Sequence, residues 1–176
     1  MTRLFPITLL LFAIALFAGC DSNDDETPDS ERIVGTWQAS EARVNTPVPG
    51  VHITVLDASN ADQVRLEFDE GDRYRLVVEG TLEIEVPQVG ETITIPGGSQ
   101  SGTYALVENG RIRFTTDGVT GAIAITYSFR GDNELNLSVE NTEEGRQVIA
   151  LILGLEAGSP VLDLIAGGTL SLRRSS

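Results

Sequence analysis

Apolar and polar side chains alternate along most of this chain with a period of two, the spacing of strands that bury one face. Val64, Leu66 and Phe68 alternate with Arg65, Glu67 and Asp69. After a turn at Glu70-Gly71-Asp72, Tyr74, Leu76 and Val78 alternate with Arg73, Arg75 and Glu79. Gly80 predicts a bulge or bend, because the rhythm resumes with Leu82, Ile84 and Val86 against Glu83 and Glu85. A short segment at 91–95 ends at Pro96-Gly97-Gly98, and Asn109-Gly110 predicts a hairpin between 103–107 and 111–116. Ile123, Ile125, Tyr127 and Phe129 share one face of the next strand. Leu135, Leu137 and Val139 follow Gly131-Asp132-Asn133, and 169–173 makes the last strand with Leu170 and Leu172. At the front, 36–43 reads as the first strand, with Trp37 and Ala39 on one face; if parity holds, Glu41 and Arg43 follow them inward or to the mouth. Residues 51–56 form either a further short strand or part of a long loop.

The segment 141–168 departs from this rhythm. Asn141 with Glu144 three residues on predicts a helix cap, and Val148, Leu151, Ile152 and Leu155 recur at helical spacing. Ser159-Pro160 starts a second short helix through Leu162 and Ile165, closed by Gly167-Gly168. A strand around Val148-Ile149 is the competing expectation. The helical insertion spans about 142–166; it packs on the wall or forms a lid over a mouth, and a third alternative, contact with the membrane, is disfavoured because Arg146 is the only basic residue near.

Strands of a membrane barrel run to about 9–11 residues and turn their apolar face to lipid. The runs here are mostly shorter, and arginines and glutamates crowd the other face, so the apolar face points inward. Tight nearest-neighbour turns favour an all-β, antiparallel up-and-down meander barrel of about 8–10 strands over a two-sheet sandwich.

Three residues of basic leader, Met1-Thr2-Arg3, precede an apolar run from Leu4 to Phe17 that ends in Leu16-Phe17-Ala18-Gly19-Cys20. That run has the length of a signal peptide rather than a membrane span. The motif resembles the lipobox of bacterial lipoproteins, although Phe17 stands where the family has an aliphatic residue. The resemblance implies that 1–19 is removed and that Cys20 is acylated. Two or more acyl chains anchor stably, since each buried CH₂ contributes about 0.8 kcal/mol. Residues 20–32 contain six acids and no apolar side chain after the cysteine, a composition that predicts a disordered tether reaching on the order of 40 Å. The acids resemble surface-export signals of some bacterial lineages; in others, Asp after the cysteine retains the protein at the inner membrane. Both locations stay open. A calcium loop at Asp21, Asn23 and Asp25 lacks the glycine and distal glutamate it requires.

The remaining domain, 33–176, opens on Gly35-Thr36-Trp37, which holds the chain's single tryptophan. This Gly-x-Trp followed by hairpin strands is similar to the lipocalin superfamily, in particular to small lipocalin-like domains carried on bacterial lipoproteins. The resemblance covers about 33–174. It implies that Gly35 and Trp37 are structural, that the indole plugs a closed barrel end, and that Arg173, or Arg174, lies across its ring.

The chain has 26 acids, 12 arginines and no lysine; without the leader, 11 arginines face the same 26 acids, a formal charge of −15. Such a surface as a whole repels nucleic-acid phosphates and anionic lipid headgroups, so nucleic acid is not an expected partner, and the acidity keeps the protein soluble. With one cysteine and one histidine, His52, the usual zinc sets and catalytic triads are not expected, nor is any cofactor. Strand parity places Trp37, Tyr74, Tyr104, Phe114, Tyr127 and Phe129 inside the barrel, where those near an open end would meet a small apolar or amphipathic ligand. Two further expectations compete with this one. In the first, the barrel is filled by its own side chains and serves as an envelope or cell-surface interaction protein. In the second, it is an enzyme, for which Glu41 and Arg43 are the nameable interior polar groups.

Overall fold

The computed structural model describes residues 27–108, 110–118, 120–153, 155 and 160–175. The leader, Cys20 and the tether up to residue 26 lie outside the described residues, as do Asn109 of the predicted hairpin turn and Gly158 and Ser159 of the insertion.

A short helix α1 (Asp29–Ile33) leads into β1 (Gly35–Asn45), β2 (His52–Leu56), β3 (Val64–Phe68) and β4 (Arg73–Val78). Then come β5 (Leu82–Val86), β6 (Glu91–Ile95), β7 (Gly98–Val107), β8 (Arg111–Thr116), β9 (Ile123–Arg130) and β10 (Glu134–Val139). Helix α2 (Glu143–Ile152) and a 3₁₀ turn (Pro160–Leu164) precede β11 (Gly168–Arg174). The strands pair antiparallel in the order β11-β10-β9-β8-β7-β4-β3-β1, and β1 closes the ring on β11. This is the expected up-and-down barrel, with eight strands in its wall and a helix before the last.

Three segments differ from the sequence expectation. First, β1 carries a bulge between Ala39 and Glu41 in its pairing with β11. The extra residue reverses the parity, so Ala42 and Val44 continue the inner face while Glu41 and Arg43 turn outward and pair with each other. The interior polar candidates are therefore surface residues.

Second, β5 and β6 pair only with each other and leave the wall. Gly80, at φ +75°, and Gly97 permit the departure: a Cβ on Gly97 would lie 2.2 Å from the Gly80 carbonyl oxygen. The chain leaves and re-enters the wall at one close backbone contact that no side chain fits.

Third, α1 occupies 29–33, so the last residues of the expected tether are folded. Ile33 is fully buried and anchors the turn, and Asp29 in the first turn and Arg32 in the last suit the helix dipole.

Two apolar clusters result. The first fills the barrel and includes Trp37, Leu66, Phe68, Ile112, Leu135 and Leu172. The second joins Val44, Ile53, Ile84, Val86, Ile93, Ile149, Leu153, Val161 and Ile165. It lies at the barrel end where the long connections β1–β2, β4–β7 and β10–β11 emerge, and it forms a layer over that mouth. Helix α2 begins from Thr142 rather than Asn141: the Thr142 hydroxyl accepts the Gly145 N–H at 3.0 Å.

Candidate functional site

The opposite barrel end carries the short turns at 69–72 and 131–133 and the connection from β7 to β8, together with α1, Gly35 and Arg174. Trp37 is fully buried there, and its Nε1 donates to the Ile33 carbonyl at 2.7 Å. Arg174, not Arg173, covers the ring, with its guanidinium carbon 4.5 Å from the centroid. Parity explains the choice, because Arg174 shares the inward face of β11 with the fully buried Leu172, while Arg173 points out. The same guanidinium donates to the carbonyls of Asp132 at 3.1 Å, Val34 at 2.9 Å and Arg32. It thus ties α1, β1 and the β9–β10 turn together.

A second arginine repeats the arrangement. Arg32 lies 4.3 Å over the Phe129 ring and donates to the Gly131 carbonyl at 2.7 Å and to Asp29 Oδ1 at 3.3 Å. Its buried Nε makes no hydrogen bond and faces the Asp132 carboxylate at 3.7 Å. The Trp37 and Phe129 rings meet tilted, at 6.0 Å between centroids, so the two cation–π pairs adjoin. The Tyr127 hydroxyl donates to Asp29 Oδ2 at 2.9 Å. Burial first, and then the bonded carboxylate, push this phenol up to about 12.

Of the six aromatic residues expected inside, Trp37, Tyr74, Tyr104 and Tyr127 are buried in the barrel core, and the partly buried Phe114 and Phe129 pack against it. Trp37, Phe129 and Tyr127 form one chain of rings; Tyr74, Phe114, Phe68 and Tyr104 form another, at 5.0, 6.1 and 4.9 Å. The tyrosine hydroxyls are also satisfied within the protein. Tyr74 shares a 2.6 Å hydrogen bond with Thr116, and Tyr104 donates to the Asp69 carbonyl at 3.2 Å. Burial, with the charges of Asp72 and Asp69, raises the Tyr104 phenol as well.

Two clefts open near this end. One, of 440 Å³, is lined by Thr27, Pro28, Asp29, Arg32, Gly110, Tyr127, Ser128 and Phe129. The other, of 370 Å³, runs along the outer wall past Thr36, Glu67, Arg73, Arg75 and Ser101. Sequence reasoning missed Asp29 and Arg32 because they lie in the acidic run; Phe68 was signalled by its parity with Leu66. His52 is exposed at the start of β2. Among the described residues, no group of three or more His, Cys, Asp or Glu side chains is placed to hold a metal. No helix among them is long and apolar enough to cross a membrane.

No family model and no curated protein matches the chain. Six chains among solved structures do. One, a de novo designed fluorescence-activating β-barrel, is 11% identical and covers 83% of this chain and 96% of its own, with a TM-score of 0.34.

Proposed function

We propose that this chain is a lipid-anchored cell-envelope protein whose barrel is a self-filled scaffold, acting through its outer surface. One observation carries the scaffold half of the proposal: the six aromatic side chains expected to line a calyx pack against other rings, five of them among themselves and Tyr104 against Phe68. Both barrel ends are also covered, one by the α1–Arg174 closure and the other by the second apolar layer. The anchor rests on the sequence Leu16-Phe17-Ala18-Gly19-Cys20 and the acidic tether after it. Native mass spectrometry of the full chain purified from bacterial membranes tests both halves. The expected spectrum shows a mass for acylated Cys20 and no co-purified small molecule. Unmodified Cys20 contradicts the anchor, and a bound small molecule contradicts the scaffold.

A second reading is favoured by the 440 Å³ cleft, where Phe129 is only half-buried. In it, a small amphipathic molecule sits beside Tyr127 and Phe129 at the barrel end. Loss of an apolar fluorescent probe's binding on Tyr127→Asp, with the fold intact, supports this reading over the first.

A further inference from the structure

The outer wall made by β7, β8 and β9 is a three-strand stretch of this acidic molecule that carries arginine and no acid, as the single strands β4 and β11 also do. These three strands hold Arg111, Arg113 and Arg130 and no Asp or Glu, in a chain with 26 acids. All three arginines are exposed, and none has an ion-pair partner among the described residues. Arg32, Arg43, Arg65, Arg73 and Arg146 are each paired, while Arg75 of β4 and Arg173 of β11 are exposed and form no ion pair among the described residues. Across the strands, Arg111 faces Val107 and Thr126, and Arg113 faces Ala105 and Ala124, a floor of small and apolar side chains. Acids border the wall: Glu134 stands opposite Arg130 in β10, and the Asp117 carboxylate accepts from Ser101 Oγ of β7 at 3.0 Å while pairing with Arg73.

The chain also enters the fold at the edge of this wall. Thr27 shares its cleft with Gly110 and Ser128, and Arg111 follows Gly110 directly. Six residues separate Cys20 from Thr27, a span of about 25 Å at full extension. A lipid on Cys20 therefore holds this side of the barrel close to its membrane.

We propose that the β7–β8–β9 wall lies against the anionic phospholipid headgroups of the anchoring membrane, so that the barrel rests on its side. The inference builds on the acylation of Cys20 proposed above. Charges more than about 8 Å away are screened at physiological ionic strength, so the contacting wall decides the orientation rather than the net charge. Arginine forks match phosphate oxygens in bidentate pairs, and the Ala and Thr floor leaves them free to turn toward the headgroups.

The test uses the chain's single cysteine. Once Cys20 is acylated, a new cysteine is the protein's one free thiol. The full acylated chain, with a nitroxide on Ala124→Cys in the wall or on Thr94→Cys on the exposed face of β6, is reconstituted into phosphatidylcholine vesicles with and without phosphatidylglycerol. Collisions with nickel chelated to lipid headgroups are then measured. We expect several-fold greater accessibility at 124 than at 94 in the anionic vesicles. The difference should disappear when Arg111, Arg113 and Arg130 are all replaced by Glu, with circular dichroism showing the barrel retained. Equal accessibility at the two sites, or no response to the charge reversal, overturns the proposal. A label at 124 that is immobilised in native membranes but not in pure lipid assigns the wall to an acidic protein and overturns it too. An intact mass showing unmodified Cys20 removes the anchor along with this contact. Acylated Cys20 with indifferent labels removes the contact alone.

Discussion

Arg174 covers the indole of Trp37, with its guanidinium carbon 4.5 Å from the ring centroid. Gly35 makes the approach possible, since a Cβ there would lie 2.7 Å from Arg174 Nη1, on a backbone held at φ +136°. The glycine and tryptophan of the Gly-x-Trp motif thus serve one contact with the end of the chain. Gly35→Ala should destabilise the fold by about 1–3 kcal/mol, the range for backbone strain at such a φ. Urea denaturation reads the change; an unaltered midpoint contradicts this role for Gly35.

Arg174→Ala should cost about 2 kcal/mol or more, through a lost cation–π contact and three carbonyls left without their donor. Arg173→Ala, on the outer face, should stay within about 0.5 kcal/mol. Equal losses for the two substitutions in the same denaturation series would contradict the assignment.

Burial and the bonded Asp29 carboxylate push the Tyr127 phenol up to about 12 in the fold, from an ordinary 10.0. Its neutral form is the one favoured in the native state. The stability it contributes is therefore complete below pH 10 and is lost as pH rises from 10 through about 12. Denaturation midpoints across that window should fall for the native sequence and fall less steeply for Tyr127→Phe. Parallel slopes would contradict a Tyr127 phenol held neutral by burial and by its bond to Asp29.

The β5–β6 hairpin depends on the Gly80–Gly97 contact. Gly97→Ala places a methyl 2.2 Å from a backbone oxygen that cannot move aside alone, so it should destabilise by about 2 kcal/mol or more. Hydrogen exchange should then quicken in β5 and β6 before β8 and β9; uniform acceleration would contradict a separate layer over the mouth.

The barrel itself was legible because strands with one buried face write their parity directly, as in Val64–Leu66–Phe68 against Arg65 and Glu67. Parity failed where register shifts. A bulge at residue 40 leaves no sign in the chain, since Ser40 is compatible with either face, and it turned Glu41 and Arg43 outward. The β5–β6 hairpin has the same alternation as a wall strand, and only tertiary contact distinguishes the two. Asp29 and Arg32 were hidden by composition: a helical turn of five residues carries too little pattern to stand out from an acidic run. Cys20 and the leader remain matters of sequence alone.

A crystal exposed to xenon tests the self-filled barrel most directly, because xenon enters empty apolar cavities and leaves packed cores vacant. No xenon is expected among Ile112, Leu135 and Leu172, each fully buried in the barrel core. An ordered xenon atom enclosed by those side chains would reveal an interior built to receive a ligand, and would contradict the self-filled barrel.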